Sequence, residues 1–137
     1  ANPGLGVHTY RTAAGLRVLV TGGDLPPGAP AAEAVLQELD SDPIYVRLCS
    51  THQTYRARLT PKPWRCGHPA LSDPWPHRHE VRAEVKRRWL ERYEPSAVAY
   101  ATTRWLGSTG PAPSPEEAQV IAWHDHASRA REQLPLA

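Results

Sequence analysis

Apolar and polar residues alternate in two short runs near the start of the chain. Val7-His8-Thr9-Tyr10-Arg11-Thr12 is rich in β-branched and aromatic residues. Leu16-Arg17-Val18-Leu19-Val20-Thr21 puts Leu16, Val18 and Val20 on one face. Ala13-Ala14-Gly15 joins them, with Gly15 expected at positive φ, so a hairpin is predicted. The periodicity then becomes helical. Ala31 to Asp40 reads as one helix, with Ala34, Val35, Leu36 and Leu39 available for burial. Asp42-Pro43 starts another, with Asp42 as N-cap, Pro43 at the first helical position, and an end near Gln53. Strict alternation returns over Thr54 to Thr60, where Tyr55, Ala57 and Leu59 interleave with Arg56 and Arg58, and predicts a third strand.

After an irregular stretch from Pro61 to Pro76, three helices are predicted. The first runs from His79 to Tyr93, with Val81, Val85 and Trp89 on one stripe. The second runs from a Ser96 cap to Leu106, with Val98, Ala101 and Trp105 inward. The third opens at Ser114-Pro115-Glu116-Glu117 and continues to about Glu132. In this last helix Val120, Trp123, His124 and Ala127 share the apolar stripe. The expected fold is α+β: a small antiparallel sheet, the hairpin plus one further strand, covered by helices, with a helical C-terminal half. The expectation is a single domain over 1–137: a ββααβ part at 1–60, a Pro-rich loop at 61–77 and a helical part at 78–137.

Composition narrows the class. With 137 residues the chain is long enough for one real core. No run approaches the roughly 18 apolar residues of a membrane span, and no signal-peptide pattern opens the sequence. Two Cys do not make a disulfide scaffold, and Cys49 and Cys66 read as thiols of a reducing, cytoplasmic setting. Met is absent altogether, which implies a lost initiator, a trimmed product, or a segment of a longer protein with a flanking domain.

Charge changes the picture more. The net charge of +2 averages over an uneven distribution. Residues 44–92 hold 11 Lys and Arg against 4 Asp and Glu, whereas 1–43 hold 2 against 5 and 93–137 hold 3 against 5. Within the basic third, Arg56, Arg58, Lys62, Trp64 and Arg65 fall in one run. Arg offers a bidentate fork to phosphate and Trp a stacking plane. Arg17 joins them if the second strand lies near the third. Arg82 and Lys86 extend a basic ladder on the following helix. This set is the candidate site for a phosphate, nucleotide or nucleic-acid partner; the plainer reading of such faces is solvation.

Two other chemistries compete. Cys66, His68, His77 and His79 flank the Pro-rich loop and supply the donor types of a closed zinc site, at a spacing that matches no standard finger. Zinc is therefore the candidate cofactor, for a zinc-stabilised or metal-dependent hydrolytic domain. His124-Asp125-His126 has the composition of a metal-hydrolase dyad. On a helix, however, i and i+2 point about 200° apart, so His124 is expected to be a hydrogen-bonded core residue. Exposed Trp and Pro in the loop also suit a partner protein.

The strings YRTAAGLR (10–17), DPIYVRLC (42–49) and RARLTPKPWRCG (56–67), with the closing LPLA (134–137), resemble an uncharacterised bacterial protein family. That resemblance covers most of the chain and implies no activity. The Thr-x-x-Gly hairpin followed by a basic strand is also similar to the palm-like core of archaeo-eukaryotic primases. The metal-binding carboxylates that precede the hairpin in that family have no counterpart here before Asp24.

Overall fold

A computed structural model describes residues 4–71 and 80–137. The first two strands, β1 (Gly6–Thr12) and β2 (Gly15–Thr21), form the expected hairpin. They pair antiparallel from Gly6↔Thr21 to Thr12↔Gly15. The turn is shorter than expected: Ala13 and Ala14 alone close it, Gly15 belongs to β2, and its φ is not positive. The Thr12 hydroxyl accepts from the Gly15 N–H at 3.1 Å and helps close the loop.

The third strand is not the one expected. Residues 54–60 form no strand, and β3 is Thr103–Thr109, which begins inside the stretch that reads as helix from Ser96 to Leu106 and runs beyond it. β3 pairs antiparallel with β1, giving the order β2-β1-β3. The register shifts between Thr9 and Tyr10, where the pairing passes from Gly107 to Trp105 and leaves Leu106 as the extra residue of a bulge. The fold class stands: a small antiparallel sheet with helices.

Among the described residues four α-helices accompany the sheet: α1 (Pro30–Glu38), α2 (Pro43–His52), α3 (Glu80–Ala97) and α4 (Pro115–Ser128). Among the described residues, no helix is long and apolar enough to cross a membrane. Side-chain caps set the starts of α2 and α4 as read from sequence. The Asp42 carboxylate accepts from the Ile44 N–H at 2.8 Å. Ser114 and Glu117 form a full capping box on α4. Glu117 also accepts the Gly22 N–H at 2.7 Å, which ties the start of α4 to the end of β2.

Gly6, His8 and Tyr10 of β1 are buried on one sheet face. Against that face α4 turns His124, Asp125 and Ser128; of the expected stripe His124 is buried there, whereas Val120 and Trp123 are not. Val120 and Trp123 are 58% and 64% exposed. Val98 and Trp105, expected inward, are likewise exposed, as is Val85 of the predicted stripe, whereas Ala101 is buried. The chain end then clasps β3. Ala101 N–H donates to the Pro135 carbonyl and Ala137 N–H to the Ala101 carbonyl, at 2.9 and 3.1 Å. Trp105 N–H donates to the Ala130 carbonyl at 2.9 Å.

Candidate nucleic-acid interface

The basic run lies on an irregular segment pinned at several points. α2 ends where Gln53 takes the left-handed conformation (φ 49) and its N–H caps the Cys49 carbonyl. Pro61 and Pro63 then deny the chain two N–H donors, and Pro63–Arg65 form one 3-10 turn. Side chains bond the Arg58, Leu59 and Pro61 carbonyls and tie Tyr55 to the loop after β2. Arg17 Nη2 donates to the Arg58 carbonyl at 2.7 Å. The Thr102 hydroxyl donates to the Leu59 carbonyl at 2.9 Å. The Tyr93 hydroxyl donates to the Pro61 carbonyl at 2.6 Å, and the Tyr55 hydroxyl to the Leu25 carbonyl at 2.7 Å. The alternation of Tyr55, Ala57 and Leu59 does not mark an inside and an outside, since Tyr55 and Ala57 are exposed and only Leu59 is half-buried.

From this anchored backbone Arg56 and Arg58 are exposed, with Lys62 and Arg65 half-buried. Trp64 is 58% exposed, with the Lys62 ammonium 5.5 Å from its ring centroid. Among the described residues, none of these four cations has a carboxylate in ion-pairing distance. The contrast with α3 is sharp. There Glu84 binds both Arg87 and Arg88, at 2.6 and 2.7 Å, and Arg87 also pairs with Glu91. Hydrogen bonds from Arg87 and Arg88 hold the Glu84 carboxyl down to about 2. Arg82 and Lys86, on the same helix, each have an interaction of their own.

Arg17 plays a different part from the others. It reaches the 54–60 segment through its side chain rather than by strand pairing, as a brace behind the basic run. Its guanidinium is half-buried, and burial lowers its pKa. The other end of the fork meets His124 Nε2 at 3.2 Å. Arg can only donate, so Nε2 accepts and the His124 proton sits on Nδ1. That N–H donates to Asp125 Oδ1 at 3.1 Å, and Arg131 Nε donates to Asp125 Oδ2 at 2.8 Å. His124 is 4% exposed and Asp125 8%. The expectation of a hydrogen-bonded core histidine is met. Burial lowers the His124 pKa. Burial alone would raise Asp125, but the Tyr10 hydroxyl, His124 and Arg131 outweigh it and hold the carboxyl below its ordinary value. The Tyr10 hydroxyl is fully buried beside this carboxylate without a hydrogen bond of regular geometry; burial first, then Asp125, raises its pKa.

The Cys/His set is only partly placed. His77 and His79 lie outside the described residues. The Cys66 thiol donates to the Pro63 carbonyl at 3.2 Å, and His68 Nδ1 donates to the Pro69 carbonyl at 3.0 Å. The His68 ring packs edge-on against Trp89 at 5.2 Å. Among the described residues no cluster of three or more His, Cys, Asp or Glu is arranged to hold a metal. Cys49 and Cys66 are both free thiols.

Sequence reasoning missed a groove of about 500 Å³ beside the basic segment. It lies among Arg58, Leu59, Pro61, Trp89, Tyr93 and Tyr100. A second cleft, of about 550 Å³, lies between α4 and the sheet, with His8, Trp105, Asp125, His126 and Arg131 among its walls. Arg131 stacks 4.1 Å from the Trp105 ring there. Trp89 falls on the stripe read with Val81 and Val85, but its convergence with Tyr93 and Arg58 is not visible in the sequence. No protein-family model, curated protein or solved structure matches this chain.

Proposed function

We propose that this chain is a phosphate-recognising module for nucleic acid, with Arg56, Arg58, Lys62 and Arg65 contacting phosphates and Trp64 stacking. One observation carries the reading. The cations sit on a backbone braced by Arg17, Thr102 and Tyr93, yet have no carboxylate partner among the described residues. Cations neighbouring in sequence and left without a carboxylate partner carry charge that a bound anion neutralises. An anchored backbone also reduces the ordering cost of binding.

Charge reversal tests the reading. The variant Arg58→Glu/Lys62→Glu leaves the Arg58 carbonyl that Arg17 holds, so folding is expected to survive. Its affinity for a short single-stranded oligonucleotide is expected to fall at least tenfold in fluorescence anisotropy. Unchanged affinity in a folded variant removes the site.

A second reading, a protein-interaction domain, has its own observation. The sheet face opposite Tyr10 carries Leu16, and the bulge carries Leu106, at 62% and 51% exposure. Light scattering that finds only monomer, and no loss of any association in Leu16→Arg, counts against it.

A further inference from the structure

We propose, resting on the phosphate-recognition reading above, that the ligand is a single strand, one of whose bases leaves the stack and enters the groove beside Arg58. Arg58 belongs to both features. It stands in the basic run and it lines the groove. Its charge is also felt at the Tyr93 hydroxyl. A strand whose phosphates follow Arg56, Arg58 and Lys62 therefore passes the groove mouth.

The groove suits a flat aromatic group. Trp89 and Tyr93 stack on each other at 4.6 Å with ring planes 15° apart, and both line it. Hydrogen bonds fix the two rings: Trp89 Nε1–H donates to the Pro69 carbonyl at 2.8 Å, and Tyr93 to that of Pro61. Leu59, Pro61 and Tyr100 complete an apolar wall, and about 500 Å³ lies within the range of pockets that hold small organic ligands. A groove walled mainly by aromatic and apolar side chains, with Arg58, Glu94 and Arg129 also in its lining, fits a base attached to a phosphate chain that runs past Arg58. It fits a duplex poorly, because paired and stacked bases have no free face to offer. Trp64, exposed and near Lys62, gives a neighbouring base a second plane.

The test compares three probes of equal length under one salt condition: oligo(dT), an abasic deoxyribose-phosphate strand, and a duplex. The abasic strand carries the same charge without bases. Oligo(dT) is expected to bind at least about fivefold tighter than the abasic strand, since stacking one base contributes about 1–3 kcal/mol. The duplex is expected to bind no better than the abasic strand. Ala97→Phe, which fills the groove from the end of α3, is expected to erase the difference while leaving abasic affinity unchanged. Tyr100→Ala offers a second route to the same loss if the first variant folds poorly. Equal binding of oligo(dT) and abasic strand by the wild type overturns the inference and leaves phosphate recognition standing. Failure of all three probes to bind overturns phosphate recognition itself.

Discussion

Replacing Asp125 by Ala tests the buried network that braces the site. Asp125 is 8% exposed and accepts from His124 and Arg131. Its removal orphans the His124 Nδ1–H, whose residue is 4% exposed, and a buried donor left without a partner costs about 1–3 kcal/mol. The Arg131 side chain is 54% exposed and can turn to water, so the loss of that ion pair adds only about 0.5 kcal/mol. The net expectation is about 2–3 kcal/mol. For 137 residues the unfolding entropy is about 0.29 kcal/mol/K, so Tm is expected to fall by about 7–10 °C. Calorimetry reads the shift, with Glu84→Ala as the control. That substitution removes the acid of an exposed network and is expected to leave Tm nearly unchanged. The ¹⁵N shifts of the His124 ring are expected to show the Nδ1–H tautomer in the wild type. A Tm within about 2 °C of wild type in Asp125→Ala, or an Nε2–H tautomer, refutes the network.

Three further outcomes follow from the same structure. His124 has a depressed pKa when folded, so its contribution is complete above its ordinary 6.5 and declines as pH falls below it. Asp125, also depressed, begins to lose its contribution below its ordinary 3.8, so Tm is expected to hold above about pH 7 and drop in two stages on acidification; a Tm that rises between pH 7 and 5.5 contradicts this. Ser114→Ala removes the hydroxyl that accepts the Glu117 N–H, and urea unfolding is expected to show a loss of about 1 kcal/mol; no loss shows that the cap is idle. Gly110 sits at φ 82, where an added Cβ meets the Leu5 carbonyl oxygen, so Gly110→Ala is expected to destabilise by at least about 1–2 kcal/mol, and a neutral result contradicts the tight crossing.

Local features of the fold were legible in the sequence. The hairpin, the Asp42 cap and the Ser114 capping box each depend on residues a few positions apart. β3 was not legible, because its partner β1 lies more than 90 residues away in sequence. The run from Val98 to Trp105 also carries apolar residues at helical spacing. The 54–60 segment misled for the opposite reason. Its alternation suits a strand, but its Arg58 and Leu59 carbonyls are bonded by the Arg17 and Thr102 side chains. α4 shows how polar burial defeats an apolar pattern. His124, Asp125 and Ser128 go inward because each finds a partner there, while Val120 and Trp123 stay exposed. The basic run could be read directly, since its residues are adjacent. The groove beside it could not, since Arg58, Tyr93 and Tyr100 meet only in three dimensions.

The salt dependence of oligonucleotide binding tests phosphate recognition most directly. Four phosphate contacts, by Arg56, Arg58, Lys62 and Arg65, predict a slope of log K against log salt near −2.8, about 0.7 per contact for a single strand. Affinity then falls by about fifty-fold between 50 and 200 mM salt, and Arg58→Glu/Lys62→Glu flattens the slope by at least about 1.4. A slope near zero, or one that the double variant leaves unchanged, contradicts the account.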